Sequence, residues 1–274
     1  MKTIIPLMFI VAILATGCPR PEPEVHQAEI GLYTPYSVFP DLLNGIVKQV
    51  VERNYLAIEQ DGSFVKGERL TVGARDSIKW TNDLSVTFDE KGNLLQCNLI
   101  DENDELIEQT KLTLQDGKII QGDYIRDDTL RDYMRMFYDE NGQLTRIERF
   151  RMPEDTLFSI IRFTTDENGD FVEWHFLNAD NESTGKFIFT VNQEGKRTGY
   201  KYYNTEGEMA GEQEFTYNEK GVLEKQVIRN REGEETVTEY RHEYDEMGNW
   251  VKVTGTSDLH VPIITERTIT YYEE

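Results

Sequence analysis

Tyr244-Asp245-Glu246-Met247-Gly248-Asn249-Trp250 decides how the rest of this chain is read, because the chain writes the same pattern six times. The tetrad Asp/Asn-Glu/Gln-x-Gly occurs at 245–248 and again at Asp89–Gly92, Asp139–Gly142, Asp166–Gly169, Asn192–Gly195 and Asn218–Gly221. An aromatic often precedes it (Phe88, Tyr138, Tyr217, Tyr244). A large apolar residue usually follows two places after the glycine (Leu94, Leu144, Phe171, Leu223, Trp250). That spacing is a β-hairpin turn: Asp or Asn caps it through the side chain, the next two residues take type I geometry, and glycine accepts the left-handed conformation that closes it.

Working outward, a shorter turn at Gln115-Asp116-Gly117 fills the one gap in the series, and the glycines at 92, 117, 142, 169, 195, 221 and 248 are then 25 to 27 residues apart. Between them lie further turn clusters at Asp101–Asp104, Asp127-Asp128, Pro153–Asp155, Asn178–Asn181, Glu206-Gly207, Glu232-Gly233 and Thr256–Asp258. The chain therefore reverses about every 13 residues, leaving strands of roughly 7–9 residues. The sixth positions before the glycines read Val86, Met136, Phe163, Phe189, Phe215 and His242, and the eighth Leu84, Met134, Ile161, Phe187, Gln213 and Tyr240. The seventh and fifth are mainly polar, as in Arg135, Arg162 and Glu214, then Thr87, Thr164, Thr190, Thr216 and Glu243. Alternation in register across copies predicts one apolar and one wet face, with Phe163, Phe187, Phe189 and Phe215 in cross-strand ladders. Strand twist accumulates across so wide a sheet, so the expectation is an all-β antiparallel meander of about 26-residue hairpin repeats, its apolar face curled inward as an open roll or barrel-like sheet. Charged residues on the other face argue against a lipid-facing barrel.

Upstream, Ile46, Val47, Val50 and Val51 run into Tyr55-Leu56-Ala57-Ile58 before the turn pair Asp61-Gly62. β-branching favours a long first strand over 46–59, with a helix across 41–53 as its competitor; Val25 to Pro40 reads as irregular. The chain opens with Lys2, an apolar run from Ile4 to Ala15 and then Thr16-Gly17-Cys18, too short a run to span a bilayer. Residues 1–17 resemble a bacterial lipoprotein signal, which implies acylation at Cys18. Pro19, Pro21 and Pro23 make 18–42 an extended spacer, and 43–274 one repeat domain.

The repeat, in Phe137-Tyr138-Asp139-Glu140-Asn141-Gly142-Gln143-Leu144 as in Tyr240–Trp250, resembles YD repeats of the RHS type, and the segment Gly195–Gly221 is partly similar to MORN repeats. With the lipoprotein signal, the whole is similar to uncharacterised lipoproteins of Bacteroides-type bacteria. The resemblance implies long curling antiparallel sheets and a lipid anchor in the outer membrane, and lends no activity.

A net charge of −22 argues against nucleic acid as a partner. Cys97 shares a column with Ile147, Trp174, Tyr200 and Val253 and reads as a small buried hydrophobe. The histidines His26, His175, His242 and His260 show no metal-ligand spacing, with His242 on the apolar and His175 on the wet face. No catalytic template is met. The Asp-Glu pairs at 89–90, 139–140, 166–167 and 245–246 line one sheet edge; turn capping competes there with weak Ca²⁺ binding. No catalytic, cofactor or metal residue is assigned, and Cys18 is the one site residue. Adjacent tyrosines at 202–203 and 271–272 must face opposite ways, leaving some exposed. The sequence thus points to a lipid-anchored envelope binding or scaffold protein, not an enzyme, with a protein or glycan ligand. Its rivals are a carbohydrate-binding lipoprotein of a glycan-uptake system, a hydrolase signalled by two converging carboxylates or a His-carboxylate pair, and an acidic immunity or inhibitor protein.

Overall fold

The computed structural model describes residues 28–31, 40–70, 83–193 and 195–273. Cys18, His26, the signal segment and most of the spacer lie outside them. The stretch read as irregular contains β1 (Ala28–Gly31), which pairs with β2 (Pro40–Leu43) at its far end as a small two-stranded sheet. The other described strands form one antiparallel barrel wall. Its strands are β3 (Val47–Gln60), β4 (Ser63–Arg69), β5 (Asp83–Phe88), β6 (Leu94–Ile100), β7 (Leu106–Gln115), β8 (Lys118–Arg126), β9 (Thr129–Tyr138) and β10 (Leu144–Arg151). They continue as β11 (Thr156–Thr165), β12 (Phe171–Asn178), β13 (Ser183–Val191), β14 (Arg197–Tyr203), β15 (Met209–Tyr217), β16 (Leu223–Asn230), β17 (Glu235–Tyr244), β18 (Trp250–Ser257) and β19 (Ile263–Tyr271). The competition at 41–53 is settled for a strand, and the sheet closes rather than staying an open roll.

Closure depends on parity. A strictly sequential meander from β3 to β19 has an odd number of strands, so its last would meet its first in parallel. β3 avoids this by pairing with two neighbours along one edge: Gln49–Glu52 with β5, and Tyr55–Gln60 with β4. β4 is thereby a branch off the ring, the remaining sixteen strands alternate in direction, and β19 meets β3 antiparallel from Ile263↔Leu56 to Tyr271↔Val47. Asp83 stabilises the split. Its buried carboxylate accepts from the Asn54 backbone N–H at 2.8 Å and from Arg69 Nε at 2.8 Å. Arg69 also reaches the Asp101 and Glu102 carbonyls and Asp104. The Arg53 guanidinium, followed by that of Arg69, holds the Asp104 carboxyl down at about 2.

The glycine turns take the geometry the tetrad requires. Asp89 N–H donates to the Asn93 carbonyl, and Gly92 N–H to the Asp89 carbonyl. Asp89 Oδ1 accepts from the Lys91 and Asn93 amides at 2.9 and 2.8 Å, with Gly92 left-handed at φ 80°. Each copy is flanked by a register shift: Phe88 faces Leu94 but Thr87 faces Gln96, and Val191 faces Arg197 but Thr190 faces Gly199, so the extra residue, Leu95 or Thr198, falls on the strand after the turn. This β-bulge explains why the second and fifth residues after the glycine, an odd distance apart, share a face. Leu144 and Ile147 both point inward and are each 1% exposed. The last turn cluster falls later than expected: Thr256 and Ser257 stay in β18, and the loop is 258–262.

Phe189 and Phe215 are buried and Thr190 and Thr216 exposed, as strand parity predicts. Inward side chains from β3 and β5 round to β13 merge into one core cluster that includes Val50, Cys97, Met134, Ile161, Trp174 and Phe189. At the seam, Asn249 of the opening motif accepts from Asn44 N–H and donates Nδ2–H to the Asn44 carbonyl and the Tyr271 hydroxyl. Tyr271 in turn donates to Asp245 at 2.7 Å.

Candidate functional site

The barrel interior has two unlike ends. Toward the glycine turns it is packed with Leu94, Leu144, Phe171, Met136 and their neighbours. The inward faces form an aromatic ladder: Phe163 meets Trp174 at 5.8 Å, Trp174 meets Phe189 at 4.9 Å, Phe187 meets Tyr200 at 4.9 Å, and Tyr200 meets Phe215 at 5.9 Å. Small inward residues let rings lie flat on the wall. A Cβ on Gly185 would come within 3.1 Å of the Tyr202 ring, and one on Gly255 within 3.3 Å of Tyr240.

On the strands beyond that core, and toward the opposite rim, the inward columns turn polar. Gln226 donates to Gln213 at 2.6 Å, and the Tyr240 hydroxyl to Gln226 at 2.9 Å, a chain across β15, β16 and β17. Burial pushes the Tyr240 phenol up to about 12. Arg267 pairs with Glu52 at 2.6 Å and lays its guanidinium 3.3 Å from the Trp250 ring centre. Arg149 pairs with Asp132 at 3.2 Å and Arg126 with Glu108 at 3.3 Å. Along β15–β18 the inward residues Gln213, Gln226, Ile228, Tyr240, His242, Trp250 and Val253 are only half-buried, so solvent reaches this part of the interior.

Among the described strand residues the registers place five arginines on the inner face, Arg126, Arg149, Arg151, Arg197 and Arg267, against the three carboxylates of Glu52, Glu108 and Asp132. These strand residues thus give the inner face an excess of two positive charges within a chain of net −22. The outer face carries the opposite balance. Arg229, for example, is held by Glu212, Glu214 and Glu235 together. Apolar inside and charged outside is the reverse of a membrane-spanning barrel.

Arg197 is the residue that the column reading missed. It occupies the place two after the glycine that is apolar in the other tetrads, yet it is 7% exposed, over Phe189 at 4.3 Å and Trp174 at 4.8 Å. Burial lowers its pKa to about 10. Phe158 was equally hidden, because a register shift at Arg149/Phe150 leaves it unpaired in a bulge of β11.

The sequence-level candidates disperse. Cys97 is buried and free, its thiol pushed well up by burial and by Glu52. His175 faces outward beside Ser183, His242 faces inward 6.0 Å from Trp250, and His260 sits in the 258–262 loop. The turn acids are engaged in capping: Asp139 Oδ1 accepts from the Asn141 and Gln143 amides, and Asp166 Oδ1 from those of Asn168 and Asp170. Among the described residues no group of three or more His, Cys, Asp or Glu is placed to hold a metal ion. Tyr202 faces inward with Phe187, while Tyr203 faces outward beneath Lys186.

No protein-family model and no curated protein matches the chain. Among solved structures, a porin-like protein from Bacteroides uniformis superposes with a TM-score of 0.53 over 82% of this chain and 96% of that one, at 10% identity. A porin-like protein from Bacteroides vulgatus gives 0.34, 10% identity and coverages of 83% and 99%. The TcdB2-TccC3-Cdc42 structure gives 0.33, 11% identity, 81% of this chain and 13% of that one. The first of these is a likeness of fold.

Proposed function

We propose that this chain is a non-catalytic binding module of the cell envelope, lipid-anchored through Cys18 to the outer membrane and housing its ligand inside the barrel. The observation that carries the reading is the reversal of polarity across the wall. Charged residues face outward, while an aromatic and apolar interior remains half-open to solvent along β15–β18. Concave apolar surface with a few placed polar groups is what a small-molecule site requires. The signal-like segment 1–17, the spacer and a porin-like fold neighbour from Bacteroides uniformis agree with an envelope setting, and the YD/RHS-like reading of the repeat belongs to the same proposal. The acidic exterior disfavours nucleic acid.

The test is fractionation of cells fed an alkyne-labelled fatty acid. The wild-type chain should carry label and sediment with membranes, and Cys18→Ser should lose both. A Cys18→Ser chain that stays membrane-bound and needs detergent overturns the anchor.

A further inference from the structure

We infer that the interior takes an anionic amphiphile, its carboxylate or phosphate head held at Arg149 and Arg151; this rests on the reading that the ligand lies inside the barrel. Three observations converge on this pair.

First, the two arginines are neighbours on one inward column of β10, opposite Met134 and Asp132 of β9. The β11 bulge turns Phe158 toward them: the Arg149 guanidinium lies 5.1 Å and that of Arg151 4.4 Å from its ring centre. Bulges that re-aim one side chain are a common device beside binding sites. A phenyl ring in contact with two guanidinium groups helps to orient both cations while satisfying none of their N–H donors.

Second, the pair has spare donors. Asp132 accepts from Arg149 Nη2 at 3.2 Å, whereas Arg149 Nη1 is buried and has no hydrogen-bond acceptor among the described residues. Arg151 is exposed and makes no ion pair among them. A buried guanidinium N–H without an acceptor is costly and calls for a group to fill it. Two guanidinium forks match the planar oxygens of a carboxylate or the three of a phosphate.

Third, the surface below the pair is apolar. Beyond Ile161 and Met134, which are closed into the core, the half-buried rings of Phe176 and Phe187, 5.4 Å apart, face the interior from the next two strands. A head group at Arg149 and Arg151 therefore directs an attached chain onto apolar side chains, not into water.

The full-length chain in zwitterionic nanodiscs, with empty nanodiscs as blank, is titrated calorimetrically with octanoate, octyl phosphate, octanol and inorganic phosphate. Octanoate and octyl phosphate should bind at least about ten-fold more tightly than octanol, as a charge-assisted bond of roughly 1.5 kcal/mol or more implies. The two anions separate a carboxylate from a phosphate head. Arg151→Gln, a substitution at an exposed residue without an ion pair among the described residues, should remove most of that advantage. Octanol binding as tightly as the anions would leave the interior site standing and remove its anionic preference. Inorganic phosphate matching octyl phosphate would remove the apolar part. Unchanged anion affinity in Arg151→Gln would overturn the assignment to this pair, and no binding by any octyl compound would overturn the interior reading as well.

Discussion

The wall of β5–β13 and the wall of β15–β18 share one turn, one bulge and one inward register, yet over the glycine-turn half the first is dry and the second half-wet. The difference lies in the inward columns. β5–β13 present Val86, Cys97, Met136, Ile147, Ile161, Trp174 and Phe189, all buried. β15–β18 present Gln213, Gln226, Thr238, Tyr240, His242 and Val253, of which none is buried, with Phe215 the buried exception. The repeat's backbone chemistry fixes where the chain turns and which way side chains point. It leaves the filling of the interior to the residues in those columns, so one repeat can build a core on one side and an accessible surface on the other.

The largest expected break in that comparison comes from cutting one side chain in each wall. Phe189→Ala removes a buried ring from the ladder with Trp174 and should cost about 3–5 kcal/mol in urea unfolding. Val253→Ala, half-buried in the wetter wall, should cost about 1 kcal/mol or less. Thr190→Lys, one residue from Phe189 on the outer face, should change stability by under about 0.5 kcal/mol. Equal losses for Phe189 and Val253 would mean the two walls are packed alike.

Next is the seam where the wet wall returns to the start of the domain. Asn249→Ala leaves the Asn44 amide and carbonyl without their side-chain partner, and should cost about 1–3 kcal/mol. Hydrogen exchange would show the loss concentrated along β3 and β19, and uniform exchange across all strands would count against a seam held locally.

Turn substitutions should be alike in both walls, which sharpens the comparison by isolating the columns. Gly142→Val and Gly221→Val each put a β-branched residue at positive φ, 82° and 78°, and should cost about 1–3 kcal/mol. Glu140→Gln and Glu219→Gln, exposed in the same turns, should cost under about 0.5 kcal/mol. A glycine effect confined to one wall would show that the repeat is not one structural unit.

Much of this was legible because the deciding features are local. Phe189 and Thr190 are assigned to opposite faces by strand parity, and Asp89 and Gly92 to their turn by side-chain chemistry. What stayed hidden depends on contacts distant in sequence. That β3 divides its edge between β4 and β5 follows from closure between Val47 and Tyr271, more than two hundred residues apart, and no window of sequence contains it. Phe158 reads as out of phase until the bulge in β11 is known. Arg197 was visible as the exception in its column, but only the structure places its guanidinium over Trp174 and Phe189.

The smallest expected change is removal of a single phenol hydroxyl, read by alkaline titration. Burial holds Tyr138 of the dry wall and Tyr240 of the wetter one alike at about 12, against about 10 for an open phenol. A phenol whose folded pKa is raised binds its proton more tightly in the folded chain. Its contribution to stability is therefore intact below pH 10 and is lost as pH rises through about 12. Phenolate absorbance near 295 nm, compared between wild type, Tyr138→Phe and Tyr240→Phe, should show each substitution removing one late-titrating group and no early one. Loss of an early group in Tyr240→Phe, with the Tyr138 group still late, would mean that water reaches past Gln226 to the Tyr240 hydroxyl. The contrast between the two walls would then extend to their polar atoms.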